Sequence, residues 1–146
     1  MERQNPGAAR SARMLAHHEA IRGHETMRIL LFVVLGGGIG SALRYLASSA
    51  INDRATPWGT ISVNIVGSLV LGLLVGWFAR RPIDSALEIG LLTGVLGGFT
   101  TFSTFTVETV ALLDSGRWET ALLNVAVSVI VGVAAAAAGL AIARAV

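Results

Sequence analysis

Between Gly97 and Glu108 the sequence GGFTTFSTFTVE sets two glycines, five hydroxyls, three phenylalanines and a carboxylate inside an apolar run long enough to span a bilayer. Hydrocarbon gives a backbone no hydrogen-bond partners. Irregular structure at that depth therefore persists only where protein covers it or where it lines a cavity or an ion path. A chain with this interruption must fold as helices packed around it, and the interruption is the first place to look for a site.

The remaining sequence supplies those helices. With 53% hydrophobic residues, 14% charged residues and a mean hydropathy of +0.69, the chain is too apolar for a water-soluble domain of 146 residues. Four stretches meet the requirement of roughly 20 residues for a spanning helix, at about 29–49, 58–79, 89–113 and 121–143. The fold class expected is an all-α membrane protein of four transmembrane helices with a broken third helix. Only short connectors remain, so any activity lies within or across the bilayer. Residues 1–26 are polar and read as a disordered tail, with residues 27–146 as the transmembrane domain. Met27 opens MRILLFVVLGGG and looks like a natural start, so the tail need not be native. A cleaved signal peptide competes, with small residues at 47–50, but Arg44 and the later spans count against it.

Several functions are disfavoured by composition. There is no cysteine, hence no disulfide, iron–sulfur cluster or thiolate chemistry. The histidines, His17, His18 and His24, all lie in the tail, and a zinc-type HExxH pattern fails at Arg22. No nucleophile and base set is present, so an enzyme is not expected. A net charge of +2, scattered along the chain, does not argue for nucleic acid.

All eleven basic residues are arginine. With the tail included, Arg3, Arg10, Arg13, Arg22, Arg28, Arg80, Arg81 and Arg144 fall on the amino-terminal side, against Arg44, Arg54 and Arg117 opposite. That excess favours a cytoplasmic amino terminus. A start at Met27 leaves near balance, and a balanced chain can insert both ways, which would permit an antiparallel homodimer.

Small residues recur at four-residue spacing in every span, among them Gly36 and Gly40, Gly72 and Gly76, and Gly90, Gly94 and Gly98. Most are expected to be packing faces. Gly97 and Gly98 weaken the third helix by about 1 kcal/mol each relative to alanine, and a break is expected there. Unwound carbonyls at such a break suit a cation and half-helix amino termini suit an anion; a glycine pair that merely admits a neighbouring helix is the alternative. Beyond it, Phe102, Phe105 and Glu108 share one side of a resumed helix, with Ser103 and Thr104 beside them. Ring edges are electropositive and can meet an anion, although phenyl rings usually just pack. Thr60 and Asn64 lie one turn apart on the second span, as do Asn124 and Ser128 on the fourth. A buried amide either joins two helices or donates to a passing anion. Arg44 either snorkels to the headgroups or makes a positive vestibule.

GGGIGSALRY at 36–45, WGTISVNIVGS at 58–68 and GGFTTFSTFTVE at 97–108 resemble the Fluc fluoride channels, also called CrcB proteins. The likeness runs from about Met27 to the carboxyl terminus, and the third segment is highly specific. It implies an antiparallel dual-topology dimer in a bacterial inner membrane, with two fluoride pores that export the ion passively. By the same resemblance, Asn64, Phe102, Phe105, Ser103, Thr104, Thr60 and Ser128 line the fluoride pore, and Arg44 sits in the vestibule. Glu108 matches the acidic position of the third helix. Gly97 and Thr100 match positions whose backbone carbonyls, from both subunits, hold a central sodium ion. One departure is Asn124, where relatives often carry tyrosine. The implied partners are fluoride, lipid and a second copy of the chain. The alternative is a proton-coupled small multidrug-type exporter. That class relies on a glutamate in its first helix, which this chain lacks, so Glu108 would have to serve.

Overall fold

The computed structural model describes residues 6–51 and 56–146, with side chains from residue 21 onward. Within these, four helices are long and apolar enough to cross a membrane: Ile21–Ile51, Trp58–Phe78, Ser85–Asp114 and Trp118–Ala145. They correspond in order to the four expected spans, and the third is interrupted. The first is part of a longer helix, Pro6–Ile51, so residues 6–26 are helical where the sequence suggests a disordered tail. Proline suits the first helical position, and the alanines, arginines and leucine that follow are strong helix formers. Arg3 and Arg54, used in the orientation argument, lie outside the described residues, as do the side chains of Arg10 and Arg13.

Polar residues set the helix ends more sharply than hydropathy does. Asp84 Oδ1 accepts from the N–H groups of Ala86 and Leu87 at 3.1 and 3.2 Å, so the third helix starts at Ser85, ahead of its apolar stretch. At its other end Gly116, with φ +75°, adopts a left-handed conformation that a side chain would strain. Its N–H donates to Leu113 O at 2.9 Å while that of Arg117 donates to Leu112 O at 2.8 Å, the paired bonds of a Schellman stop. The fourth helix begins directly afterwards, at Trp118.

The second helix packs chiefly on the carboxyl-terminal part of the fourth, and the first helix on the amino-terminal part of the third. Glycine brings these backbones together. A Cβ on Gly72 would strike Ala136 O, and one on Gly139 would strike Leu69 O. In the other pair, a Cβ on Gly36 would lie 2.6 Å from Gly90 O, and one on Gly98 would lie 2.7 Å from Gly37 O. The small-residue repeats are therefore packing faces, where close approach replaces the hydrophobic driving force that lipid does not provide. Large apolar side chains such as Val34, Leu35, Leu46 and Val133 point outward.

The interruption lies slightly later than the glycine pair. The third helix passes through wider π-type turns over Gly90–Leu96 and one α turn over Gly97–Phe99. It then extends at Thr100 (φ −88°, ψ 159°) and Thr101 (φ −151°, ψ 118°) before resuming as Phe102–Asp114. Gly97 and Gly98 stay helical, and Gly98 makes a close contact with Gly37 that a side chain would block. The fourth helix has its own π-type segment, Val127–Val131.

Candidate functional site

Breaking a helix frees backbone groups that hydrocarbon cannot satisfy, and here side chains from two other helices take them. Thr100 N–H still reaches Leu96 O at 3.0 Å, but Thr101 N–H turns to Asn64 Oδ1 at 2.8 Å. Asn64 Nδ2 in turn donates to Thr101 O at 3.0 Å. The Asn64 amide thus pairs with Thr101 as a neighbouring strand would, and because Thr101 N–H can only donate, the orientation of the amide is fixed. From the first helix, Arg44 Nη1 donates to Thr100 O at 3.1 Å. Thr101 also caps the resumed half: its Oγ1 accepts from Thr104 N–H at 3.1 Å.

These contacts sort the charge at the break. The amino-terminal half ends in carbonyls, the negative pole of its dipole, and the Arg44 guanidinium sits there. The resumed half begins with N–H groups, its positive pole, at Phe102.

Beside that positive pole is a cavity of about 260 Å³ lined by Asn64, Ser68, Thr101, Phe102, Phe105 and Ser128, together with neighbouring groups that include Thr100. The second, third and fourth helices all contribute. Ser128 belongs to the π-type segment of the fourth helix, a wider turn of the kind often found at functional sites. The rings of Phe102 and Phe105 have centroids 5.6 Å apart and are tilted by 46°. Phe105 is 8% exposed and Phe102 is 76% exposed, so one ring is fixed in the core while the other stands at the surface. The lining is neutral. The amide of Asn64 and the hydroxyl residues Ser68, Thr100, Thr101 and Ser128 share it with the rings of Phe102 and Phe105 and with the apolar Leu71 and Val129.

The other expected site residues lie outside this cavity. Ser103 and Thr104 are exposed and turn toward Thr101, whose Oγ1 lies 3.3 Å from Ser103 Oγ and donates to Thr104 Oγ1 at 3.0 Å. Thr60 Oγ1 donates to Glu108 Oε1 at 3.0 Å, tying the second helix to the resumed half of the third. Glu108 Oε2 is buried with no donor among the described residues. Gly97 faces open space, since a Cβ there would meet nothing within 4 Å.

Two participants were not singled out from sequence. Thr101 is the hub of the break, and its signal was a hydroxyl directly ahead of a helical stretch, the ordinary mark of an N-cap. Thr109 accepts from Asn124 Nδ2 at 2.9 Å and donates to Phe105 O at 2.7 Å. Ser128 Oγ donates to Asn124 Oδ1 at 3.4 Å. A polar chain thus runs from the cavity wall at Ser128 through Asn124 to the backbone of Phe105.

Residues 31–140 match the family described as CrcB-like protein, Camphor Resistance (CrcB). The chain belongs to the CrcB family. It is 48% identical over 119 residues to the "Fluoride-specific ion channel FluC" of Magnetococcus marinus, a match that covers 79% of this chain and 97% of that one. It is 46% identical over 125 residues to the protein of the same name from Novosphingobium aromaticivorans, covering 82% and 99%. A third CrcB relative so named, from Agrobacterium fabrum, is 44% identical over 120 residues, covering 79% and 95%. Every residue lining the cavity falls within the matched CrcB region.

Proposed function

We propose that this chain forms a fluoride-selective channel of the bacterial inner membrane, giving passive export of cytoplasmic fluoride and hence resistance to it. The observation that carries the reading is the neutral, donor-bearing cavity beside the positive pole of a broken membrane helix, in a chain of the CrcB family. Fluoride is small, hard and strongly hydrated, so a selective pore must replace its water with donors. Asn64 spends one Nδ2 hydrogen on Thr101 and keeps the other for the ion. Ser128 holds its hydroxyl hydrogen in a long 3.4 Å bond that a passing anion can take over. Phe102 and Phe105 offer ring edges, which contact an anion without trapping it. No cationic side chain lines the cavity, so release stays easy. A negative interior drives the anion outward with roughly 2.3 kcal/mol per 100 mV. The channel is not an enzyme and needs no energy source beyond that gradient.

The working unit in this reading is an antiparallel homodimer. Ser103 and Thr104 are exposed at membrane depth, where hydrocarbon cannot serve them, and a second copy would cover them. The same reading places a structural sodium ion at the dimer centre. The donor set suits it: Thr101 N–H is diverted to Asn64, so Gly97 O lacks its helical donor, and the space beside Gly97 is open. Gly97 and Thr100 carbonyls from both copies would hold the ion, which would supply fixed positive charge where the broken helices meet. Arg44 already occupies one side of Thr100 O and supports the same carbonyl from the first helix. Residues 1–26 stand outside the channel proper in this proposal, and residues 27–146 form it. An exporter reading would rest on Glu108, which does not line the cavity.

The test is fluoride efflux from proteoliposomes, with chloride as control and with and without a pH gradient. Fluoride-selective efflux indifferent to the pH gradient is expected. Vesicles that retain fluoride despite correctly folded protein would overturn the proposal.

A further inference from the structure

Where the second and fourth helices end, Trp77, Arg80, Arg81, Ala143 and Val146 enclose a second cavity, of about 210 Å³ and mainly polar. Arg80 Nη1 donates to the carbonyl oxygens of Ala143 at 3.2 Å and Arg144 at 2.5 Å, which fastens its guanidinium over the last turn of the fourth helix. Arg81 lies with Cζ 4.3 Å from the centroid of the Trp77 ring. Both guanidiniums are held by neutral groups, so their charge is positioned but not cancelled. Arg144, whose carbonyl takes one of the Arg80 bonds, is a third arginine, in the last turn of the fourth helix. Among the described residues no carboxylate side chain lies within ion-pair distance of any of the three. Arg28 provides the contrast, since it pairs with Asp84 at 2.9 Å and Glu25 at 3.1 Å.

We propose that this cavity binds the phosphate headgroup of an anionic membrane phospholipid. Guanidinium N–H groups suit phosphate oxygens, and Arg80 and Arg81, neither paired with a carboxylate side chain, can donate to the two unesterified oxygens of an anionic diester. The position selects lipid over a free anion. The cavity sits at the ends of two spanning helices, at headgroup depth, and Trp77 is a residue type enriched at that level. The Trp77 ring, partly exposed beside the cavity, presents apolar surface that acyl chains of the same lipid would cover. A soluble phosphate would gain nothing from that ring. Basic pockets between helix ends are an established means of holding anionic headgroups. The site is remote from the broken helix, and its occupancy does not depend on what the channel conducts.

The experiment is native mass spectrometry of the full chain, titrated in parallel with phosphatidylglycerol and phosphatidylcholine of identical acyl chains. Phosphatidylglycerol is expected to bind about tenfold more tightly, and Arg81→Gln to reduce that preference about fivefold, as loss of one interfacial arginine should. Arg81→Lys should restore most of it. Arg28→Gln, which removes a charge already paired, should leave the preference within about twofold of the parent. A folding defect would weaken both lipids together, so the preference itself is the readout. Equal binding of the two lipids by the parent chain would overturn the proposal, as would a preference that survives in an Arg81→Gln, Arg144→Gln double variant. Displacement of phosphatidylglycerol by millimolar inorganic phosphate would also overturn it, by showing a site for free anions.

Discussion

Asn64 and Asn124 are the same residue on neighbouring membrane helices, each bonded through both ends of its amide, yet they hold different things. Asn64 grips backbone: it takes the N–H of Thr101, which no helix can satisfy once the third helix has opened, and donates to the C=O of the same residue. Asn124, 1% exposed, grips side chains, Thr109 of the third helix on one side and Ser128 of its own helix on the other. Remove Asn124 and both hydroxyls can fall back on carbonyls a turn behind them, as Thr109 already does with Phe105 O. Remove Asn64 and the extended residue has no substitute. An amide at membrane depth thus matters most where it supplies the hydrogen bonds of missing secondary structure, even when, like Asn64, it is only half-buried.

The strongest way to break this comparison is Asn64→Leu. The orphaned Thr101 N–H should cost about 1–3 kcal/mol, and the break should rearrange. Fluoride efflux from liposomes is expected to fall to that of empty vesicles, with a lower melting temperature in detergent. Asn64→Asp separates the roles: it keeps an acceptor for Thr101 N–H but sets a carboxylate against Thr101 O and against the ion, so efflux should also collapse. Normal efflux from either variant would reduce Asn64 to ordinary helix glue.

The phenylalanine pair gives the next largest effect and tests whether burial or ion contact decides a residue's weight. Phe105→Ile should lower both melting temperature and efflux, because Phe105 is in the core. Phe102→Ile should lower efflux at least about tenfold, roughly 1.4 kcal/mol of barrier, with little change in melting temperature. Equal stability losses in the two would contradict the exposure difference between the rings.

Asn124→Leu should do less. Interhelical hydrogen bonds in membranes average about 0.6 kcal/mol, so a loss of about 1 kcal/mol is expected, with efflux reduced less than tenfold. A complete loss of flux would make the Ser128–Asn124–Thr109 chain as indispensable as the clamp on Thr101 and erase the distinction.

Much of this was legible in sequence, for reasons that differ by residue. The spans follow from apolar length, and the interruption from hydroxyls and glycines at membrane depth. Asn64, Phe102, Phe105 and Ser128 were readable because polar or aromatic groups in a lipid-spanning segment need a reason, and the structure brings them to one cavity. The exact place of the break was not readable. Glycine propensity pointed to Gly97 and Gly98, but the deciding term is the bond between Thr101 and a residue 37 positions earlier. Propensity cannot register a competitor from another helix. Arg44 is similar. Snorkelling and a vestibule were both consistent with its position, whereas its bond to Thr100 O depends on how the first helix crosses the third. The described residues ahead of Met27 are helical although polar, a reading that polarity alone does not give, since alanine and arginine favour helix in water as well as in a membrane.

The smallest effect concerns a polar cluster at the membrane surface, which sets a baseline for both asparagines. Asp84 caps the third helix and pairs with Arg28. The hydrogen bond from Arg28 and the N–H of Leu87 hold its carboxyl below the usual carboxylate range. A carboxyl depressed in the folded state stabilises above the pKa of the unfolded chain, near 3.8, and that contribution fades as pH falls through the lower folded value. Asp84→Asn keeps a cap acceptor but removes the charge. The parent should therefore melt slightly higher than the variant from pH 7 down to about pH 5, with the gap closing below about pH 4. Thermal unfolding in detergent across that range is the measurement. A gap as large as that of Asn64→Leu would mean that water-exposed charge pairs hold this fold as firmly as the amide at the break, and the contrast between surface and membrane polar groups would fail.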